Sequence, residues 1–103
     1  EEPIQYKGLV LDYNKRTLYY IDKPVALTYK EFELLHYLML NKGIVLSRDK
    51  ILQEIWGYDY EGETRTVDMH IKTIRQKLEA AGCTNCITTV RSAGYKLEEK
   101  EGI

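Results

Sequence analysis

At 103 residues the chain has the length of one domain, and its 44% hydrophobic and 30% charged residues are ordinary globular composition, which excludes an intrinsically disordered segment. No apolar run approaches the roughly 20 residues of a membrane-spanning helix, so neither a helical membrane span nor a secretory leader is expected in these residues. Net charge is −1, which taken alone argues for no polyanionic partner.

The distribution of charge says more. Residues 1–64 hold eight Lys/Arg against eleven Asp/Glu, residues 65–97 hold six against two, and the last six residues hold one against three. A basic segment of this kind points to a partner met by one end of the molecule. The chain begins Glu-Glu-Pro without an initiator Met, and the expectation is a longer protein whose further part is N-terminal.

In chain order, Ile4 to Leu11 alternates apolar and polar residues, with Gly8 suggesting a bulge or a close approach. Asp12 to Lys15 is turn chemistry, Thr17 to Ile21 is β-branched and aromatic, Asp22-Lys23-Pro24 is a second turn, and Val25 to Leu27 can form a short third strand. The N-terminus is therefore expected to be an antiparallel meander.

Thr28-Tyr29-Lys30-Glu31 has the form of a capping box, and the helix it opens runs to about Asn41 with Phe32, Leu35, Leu38 and Met39 inward. Glu31 and Glu33 are read as cap and solvated surface. Ser47 caps a second helix from Arg48 to about Trp56, with Leu46 and Ile51 as a hydrophobic staple, and Gly57 ends it. Residues 57–63 form an acidic loop.

Thr64 to about Ala81 forms the third helix, capped by Thr64. At about 100° per residue, Val67, Ile71, Ile74 and Leu78 share one stripe. Arg65, Met69, Lys72 and Gln76 lie opposite, with Thr73 beside them and no acid among them. His70, at the flank, is read as a packed histidine with one hydrogen bond or as a phosphate contact. Asp68 is expected to orient a neighbouring cation, such as Lys72 at i,i+4 or one on the hairpin that follows, with readout of cytosine as the alternative. Ile87 to Arg91 and Tyr95 to Leu97 make that hairpin around Ser92-Ala93-Gly94, with Gly94 at the third turn position.

Strands, two short helices, a longer helix and a hairpin give an α+β fold: a winged helix-turn-helix with an N-terminal antiparallel sheet, three helices and a C-terminal β-hairpin wing. The third helix would then present its polar face at a size the major groove admits. Arg91, beside the wing turn, is the residue suited to a narrow groove. No paired carboxylates with a nucleophile and no phosphate-cradling glycine loop occur, so no enzyme is expected.

Arg65-Thr66-Val67-Asp68-x-His70-Ile71, then Ile74-Arg75-x-Lys77-Leu78, then Ile87-x-Thr89-Val90-Arg91-x-x-Gly94-Tyr95-x-Leu97 resembles the DNA-binding effector domain of OmpR/PhoB-type response regulators. Leu27-Thr28-x-x-Glu31-Phe32, Val45-Leu46-Ser47-Arg48 and Leu52-x-x-Ile55-Trp56-Gly57 agree with it in order. The resemblance implies a four-stranded N-terminal sheet, one strand more than the residues show. It implies binding to double-stranded promoter DNA at direct repeats, as a tandem dimer on DNA and a monomer alone. It also implies a receiver domain phosphorylated by a cognate histidine kinase, and a cytoplasmic location. The helix of about residues 64–81 would enter the major groove and the wing of residues 87–97 would lie at the minor groove.

Residue by residue, Arg65 and Trp56 would meet phosphates and Met69 and Thr73 base edges. Arg91 would enter the minor groove, and Lys72 and His70 would lie near the backbone. Thr89 and Gln76 complete the expected DNA-binding set, Gln76 as a reader of adenine. The loop carrying Tyr58, Asp59, Tyr60 and Glu61 would contact RNA polymerase. Thr73 stands where close relatives of the family's best-known phosphate-responsive member often carry a long basic residue, so no known site sequence transfers.

Two further readings stand beside this one: a winged helix that binds protein, favoured by the weak total charge, and a redox-sensing regulator through Cys83 and Cys86. For Cys83-Thr84-Asn85-Cys86 the expectation is ordinary reduced thiols in a loop, with a redox-sensitive disulfide and an intermolecular metal site as alternatives. No second C-x-x-C completes the four ligands of a structural zinc, so neither metal nor cofactor is expected.

Overall fold

Lys7 and Gly8 both take positive φ, 46° and 92°, and this pair turns the chain back on itself. Two consecutive left-handed residues make the tight two-residue hairpin whose twist suits flanking strands. Gly8 is thus the second residue of a turn and not a bulge, and the alternating segment expected as one strand is two. Gly8 has the expected close approach in the Tyr20 ring, 3.0 Å from where a Cβ would lie. The computed structural model describes residues 2–98, and most of the acidic tail counted above lies outside the described residues.

Strand β1 (Ile4–Tyr6) pairs antiparallel with β2 (Leu9–Asp12), β2 with β3 (Thr17–Tyr20), and β3 with β4 (Lys23–Pro24). The register sets Leu11 opposite both Ile4 and Leu18. Tyr6, Leu9, Leu11 and Leu18 turn to the core, as a period of two requires. Four strands match the resemblance and correct the three-strand reading of the residues. The third connection also differs from expectation. Ile21 and Asp22, at φ 44° and 69°, form the turn. The paired residues are therefore Lys23 and Pro24, and Val25 to Leu27 are not a strand, though the Val25 amide still donates to the Leu18 carbonyl at 2.8 Å. Pro24 sits on an edge strand, where a missing donor costs least.

Helix α1 (Tyr29–Leu40) opens on the predicted capping box: the Glu31 amide donates to Thr28 Oγ1 at 3.3 Å and the Thr28 amide donates to Glu31 Oε1 at 2.9 Å. Phe32, Leu34, Leu35, Leu38 and Met39 are buried. Helix α2 (Arg48–Trp56) starts where the Lys50 amide donates to Ser47 Oγ at 3.0 Å. Helix α3 (Arg65–Ala81) buries Val67, Ile71, Ile74 and Leu78, the stripe read from the sequence.

Thr64 does not cap α3. Its backbone is already helical and its side chain accepts no cap bond. The amides of Thr66 and Val67 instead donate three residues back, to Glu63 and Thr64 at 2.9 Å, tightening the first turn. At the other end Gly82 is left-handed, and the Cys83 amide donates to the Leu78 carbonyl at 2.9 Å.

The wing is β5 (Thr88–Val90) and β6 (Gly94–Lys96). Arg91, Ser92 and Ala93 form its turn. The left-handed turn residue is Ser92, at φ 64°, and not Gly94, which pairs with Val90 inside the ladder. Gly94 has a different duty. A Cβ there would lie 2.0 Å from the Leu46 carbonyl oxygen. That close approach lets Leu46 and Tyr95 exchange amide–carbonyl bonds at 2.9 and 3.0 Å, docking the wing on the segment before α2. None of the described helices is long and apolar enough to cross a membrane.

Candidate nucleic-acid interface

With its apolar stripe held by the core, α3 leaves Arg65, Met69, Lys72 and Gln76 exposed along one side. Met69 is 62% exposed, high for a large apolar side chain on a well-packed helix. A 190 Å³ cleft separates the wing turn, at Ser92 to Gly94, from Arg48 at the start of α2 and Thr64 at the start of α3. The wing therefore lies beside the N-terminal end of α3, and exposed Arg91 stands at its tip.

Not every positive charge counted in residues 65–97 is available. Lys77 donates to Glu31 at 2.7 Å, Lys96 lies 3.7 Å from Glu98, and Arg75 is turned inward. Arg65 has an exposed pairing with Glu63 at 3.3 Å, of the kind that contributes little. Lys72 and Arg91 make no ion pair among the described residues. The usable field comes from Arg65, Lys72 and Arg91, and they share the α3–wing side.

Thr73 departs from the expected face. It is half-buried, and its hydroxyl donates to Glu31 Oε2 at 2.6 Å with the His70 carbonyl also within 3.0 Å. Its hydroxyl is turned toward α1. Glu31 in turn is neither solvated nor only a cap: it is 4% exposed and joins the start of α1 to Thr73 and Lys77 of α3. Burial alone would raise its pKa, but the bonds from Lys77, Thr73 and the Thr28 amide outweigh this and hold it at about 2. Glu33 likewise is not simply solvated, since Tyr13 and Arg16 both donate to it.

Asp68 does face a neighbouring cation, but that cation is Arg48 of α2 rather than Lys72 or one on the wing. It accepts the Tyr95 hydroxyl at 2.5 Å and lies 3.6 Å from Arg48 Nη1, so it joins the wing, α2 and α3. Burial first, and the bond to Asp68 second, push the Tyr95 pKa up. Arg75, not singled out in the sequence beyond its charge, is the second tie. Its Nη2 donates to the Ile87 carbonyl and to Thr89 Oγ1, each at 2.7 Å, and its guanidinium lies 5.7 Å from the Tyr95 ring centroid. The available signal was its place at the flank of the apolar stripe facing the hairpin. Thr89 itself is exposed and carries that bond.

His70 packs edge-on against Trp56, with centroids 4.8 Å apart, and its Nδ1 lies 2.9 Å from the Thr66 carbonyl, which makes Nδ1 the donor. Trp56 is half-buried, beside Tyr60 and with Lys30 Nζ 5.6 Å from its ring centroid. The loop after α2 leaves Tyr58 75% exposed, with Asp59, Tyr60 and Glu61 also exposed. The Tyr60 ring folds over Gly62, where a Cβ would meet it at 2.2 Å. Among the described residues no group of three or more His, Cys, Asp and Glu is placed to hold a metal ion.

The expectation of reduced thiols is overturned: Cys83 and Cys86 are joined in a disulfide, and both are buried. Gly82 ends α3 just before them, which brings the two cysteines together across a four-residue loop.

Residues 22–97 match the family described as "Transcriptional regulatory protein, C terminal". The chain is 44% identical over 91 residues to the heme response regulator HssR of Staphylococcus aureus, covering 88% of this chain and 41% of that protein. It thus spans about two fifths of the length of the curated relatives it matches. It superimposes on the Klebsiella pneumoniae RstA DNA-binding domain, solved in complex with the RstA box, at TM-score 0.83 and 31% identity, covering 95% of this chain and 98% of that one. It also superimposes on a structure from a family of streptococcal redox sensors that evolved from two-component response regulators, at TM-score 0.84 and 36% identity, covering 97% and 43%. A docked wing, a helix with an exposed cationic stripe and these likenesses agree: the chain belongs to the winged-helix DNA-binding domains of OmpR/PhoB-type response regulators.

Proposed function

We propose that this domain recognises promoter DNA by laying the Arg65–Met69–Lys72–Gln76 side of α3 in the major groove while Arg91 reaches the adjacent minor groove. The carrying observation is that this stripe and the wing tip lie on one side of a frame fixed by Asp68, Arg75 and Gly94. Arg65 and Lys72 contact phosphates, Met69 meets a thymine methyl or another apolar edge, and Gln76 reads adenine near the far end. His70 and Trp56 brace the helix from within and reach the backbone at its border, and Thr89 contributes from the wing. Thr73 reaches a base only by giving up its bond to Glu31.

In the longer protein a receiver phosphorylated by a histidine kinase promotes tandem pairing on direct repeats in the cytoplasm. Tyr58, Asp59, Tyr60 and Glu61 offer an acidic, aromatic surface to RNA polymerase.

Selection of preferred duplexes from random DNA by the purified domain tests recognition directly. On an enriched duplex, Lys72→Ala and Arg91→Ala should each weaken binding about tenfold, and Lys72→Ala should lower the slope of log K against log salt by about one unit. Binding unchanged in both variants would reject the groove placement. A domain that enriches no duplex but retains a protein partner would favour the protein-binding reading.

A further inference from the structure

The loop joining the recognition helix to the wing is closed by a disulfide to which the groove placement proposed above assigns no part. Cys83 is fixed on one side, its amide donating to Leu78 at the end of α3 at 2.9 Å. Cys86 is fixed on the other, its carbonyl accepting the Tyr6 hydroxyl of β1 at 3.2 Å. Asn85 between them is left-handed at φ 58°. Arg75 then holds the next residues, Ile87 and Thr89, against α3. The bond therefore spans the joint where α3 hands over to β5.

Both cysteines line an open cleft of about 200 Å³ that they share with Arg75, Glu79 and Asn85. A small thiol thus has a path to the bond. A loop of four residues constrains the unfolded chain less than a long one, so this disulfide contributes less loop-closure stability than a bond between distant segments would. Both cysteines belong to the buried core, but most of it, from Leu9 and Leu11 of the sheet to Leu35 of α1 and Ile74 of α3, is made by other residues. These are properties of a bond that can be cut and remade in a folded protein.

We infer that Cys83 and Cys86 form a redox-active site at which reversible reduction by small dithiols sets the position of the wing and hence the affinity for DNA. A thiolate of the dithiol attacks one cysteine sulfur. The S–S bond breaks, its electron pair leaves on the other cysteine sulfur, and that sulfur takes up a proton. The second thiol of the reductant then displaces the remaining cysteine and leaves as a cyclic disulfide. Two electrons and two protons have passed to the chain. A disulfide of the same class reverses the step.

The mechanical consequence runs through Arg75. A cysteine sulfur released into this cleft is a new, weak acceptor near the guanidinium, in competition with the Ile87 carbonyl and Thr89 Oγ1. Asn85 is also freed from the turn that the bond imposes. The disulfide form holds the wing, and Arg91 with it, beside the start of α3. The dithiol form loosens that joint.

The inference rests on the DNA-binding reading above, and one experiment separates their failures. The 103-residue domain is equilibrated in mixtures of oxidised and reduced dithiothreitol. Its free thiols are counted by alkylation and mass, and its affinity for an enriched duplex is measured in each mixture. Two thiols should appear as the mixture becomes reducing, and affinity should fall about fivefold or more with them. Cys83→Ser/Cys86→Ser should bind like the reduced domain in every mixture; if it unfolds by circular dichroism, the wild-type comparison decides alone. Equal affinity with and without the bond overturns the inference, as does a thiol count that never changes. No binding in any mixture rejects the DNA-binding reading, and this inference with it.

Discussion

Gly94→Ala should cost about 3 kcal/mol or more in unfolding free energy, and should weaken DNA binding in whatever fraction stays folded. Two independent effects set that size. The backbone at residue 94 has φ 146°, a conformation that residues with a Cβ rarely adopt. The new Cβ would also lie 2.0 Å from the Leu46 carbonyl oxygen and 2.9 Å from the Ser47 Cα. Those are backbone atoms, which cannot swing aside. Relief comes only by moving the wing from Leu46, which breaks both bonds between Leu46 and Tyr95 and strains the hydroxyl bond from Tyr95 to Asp68. Urea denaturation followed by tryptophan fluorescence measures the loss. A cost below about 1 kcal/mol would mean that the wing is not clamped at this point.

Glu31→Gln should remove a pH-dependent part of the stability that no other described carboxylate supplies to α3. The sign follows from the depressed pKa. The folded value is about 2 against an ordinary 4.5, so the unfolded chain binds the proton more readily. The contribution is complete above about pH 4.5 and is lost as pH falls toward 2. A shift of that size corresponds to about 3 kcal/mol in the neutral range, of which about 2 is gone by pH 3. The side chain is 6% exposed, so solvent screening reduces this little, although Lys77 opposite is 39% exposed. Glutamine retains the shape and an acceptor for the Thr28 amide but not the charge facing Lys77. Stability measured from pH 7 to pH 3 should therefore fall less steeply in the variant than in the wild type. Parallel curves would show that Glu31 does not carry this charge in the fold.

The architecture was legible because local signals agreed with one another. Capping chemistry at Thr28 and Ser47, the stripe Val67–Ile71–Ile74–Leu78 and the hairpin after it needed no tertiary information. The strand errors share one cause. Lys7, Ile21 and Asp22 take positive φ, and neither lysine nor isoleucine advertises that conformation, so the turns were misplaced by a residue or two. Gly94 was misread because its need is a close approach by Leu46, distant in sequence. The site was legible in its exposed stripe, which follows from helical period alone. It was not legible in its second layer. Thr73, Asp68 and Arg75 each have polar partners 27 residues away or more, or across the wing, and no spacing rule within one helix reveals Glu31, Tyr95 or Ile87 as those partners. The cysteine pairing depends on how the chain leaves α3 at Gly82, and spacing left it open.

The withdrawal of the Thr73 hydroxyl into its bond with Glu31 bears on how much information one copy of the domain can extract from a genome. The side that remains outward on α3 pairs two long cations with one thioether and one amide. Cations that meet phosphates bind every duplex alike, and a thioether ranks bases only by their apolar edges. Each base pair so read carries about 1–3 kcal/mol of discrimination at best, against roughly a million or more competing positions in a bacterial chromosome. A lone copy would spend most of its time on near-matches. On the tandem pairing proposed above, occupancy of the right address would come from the product of two such modest readings, and the spacing between repeated half-sites would hold as much of the message as the letters within each.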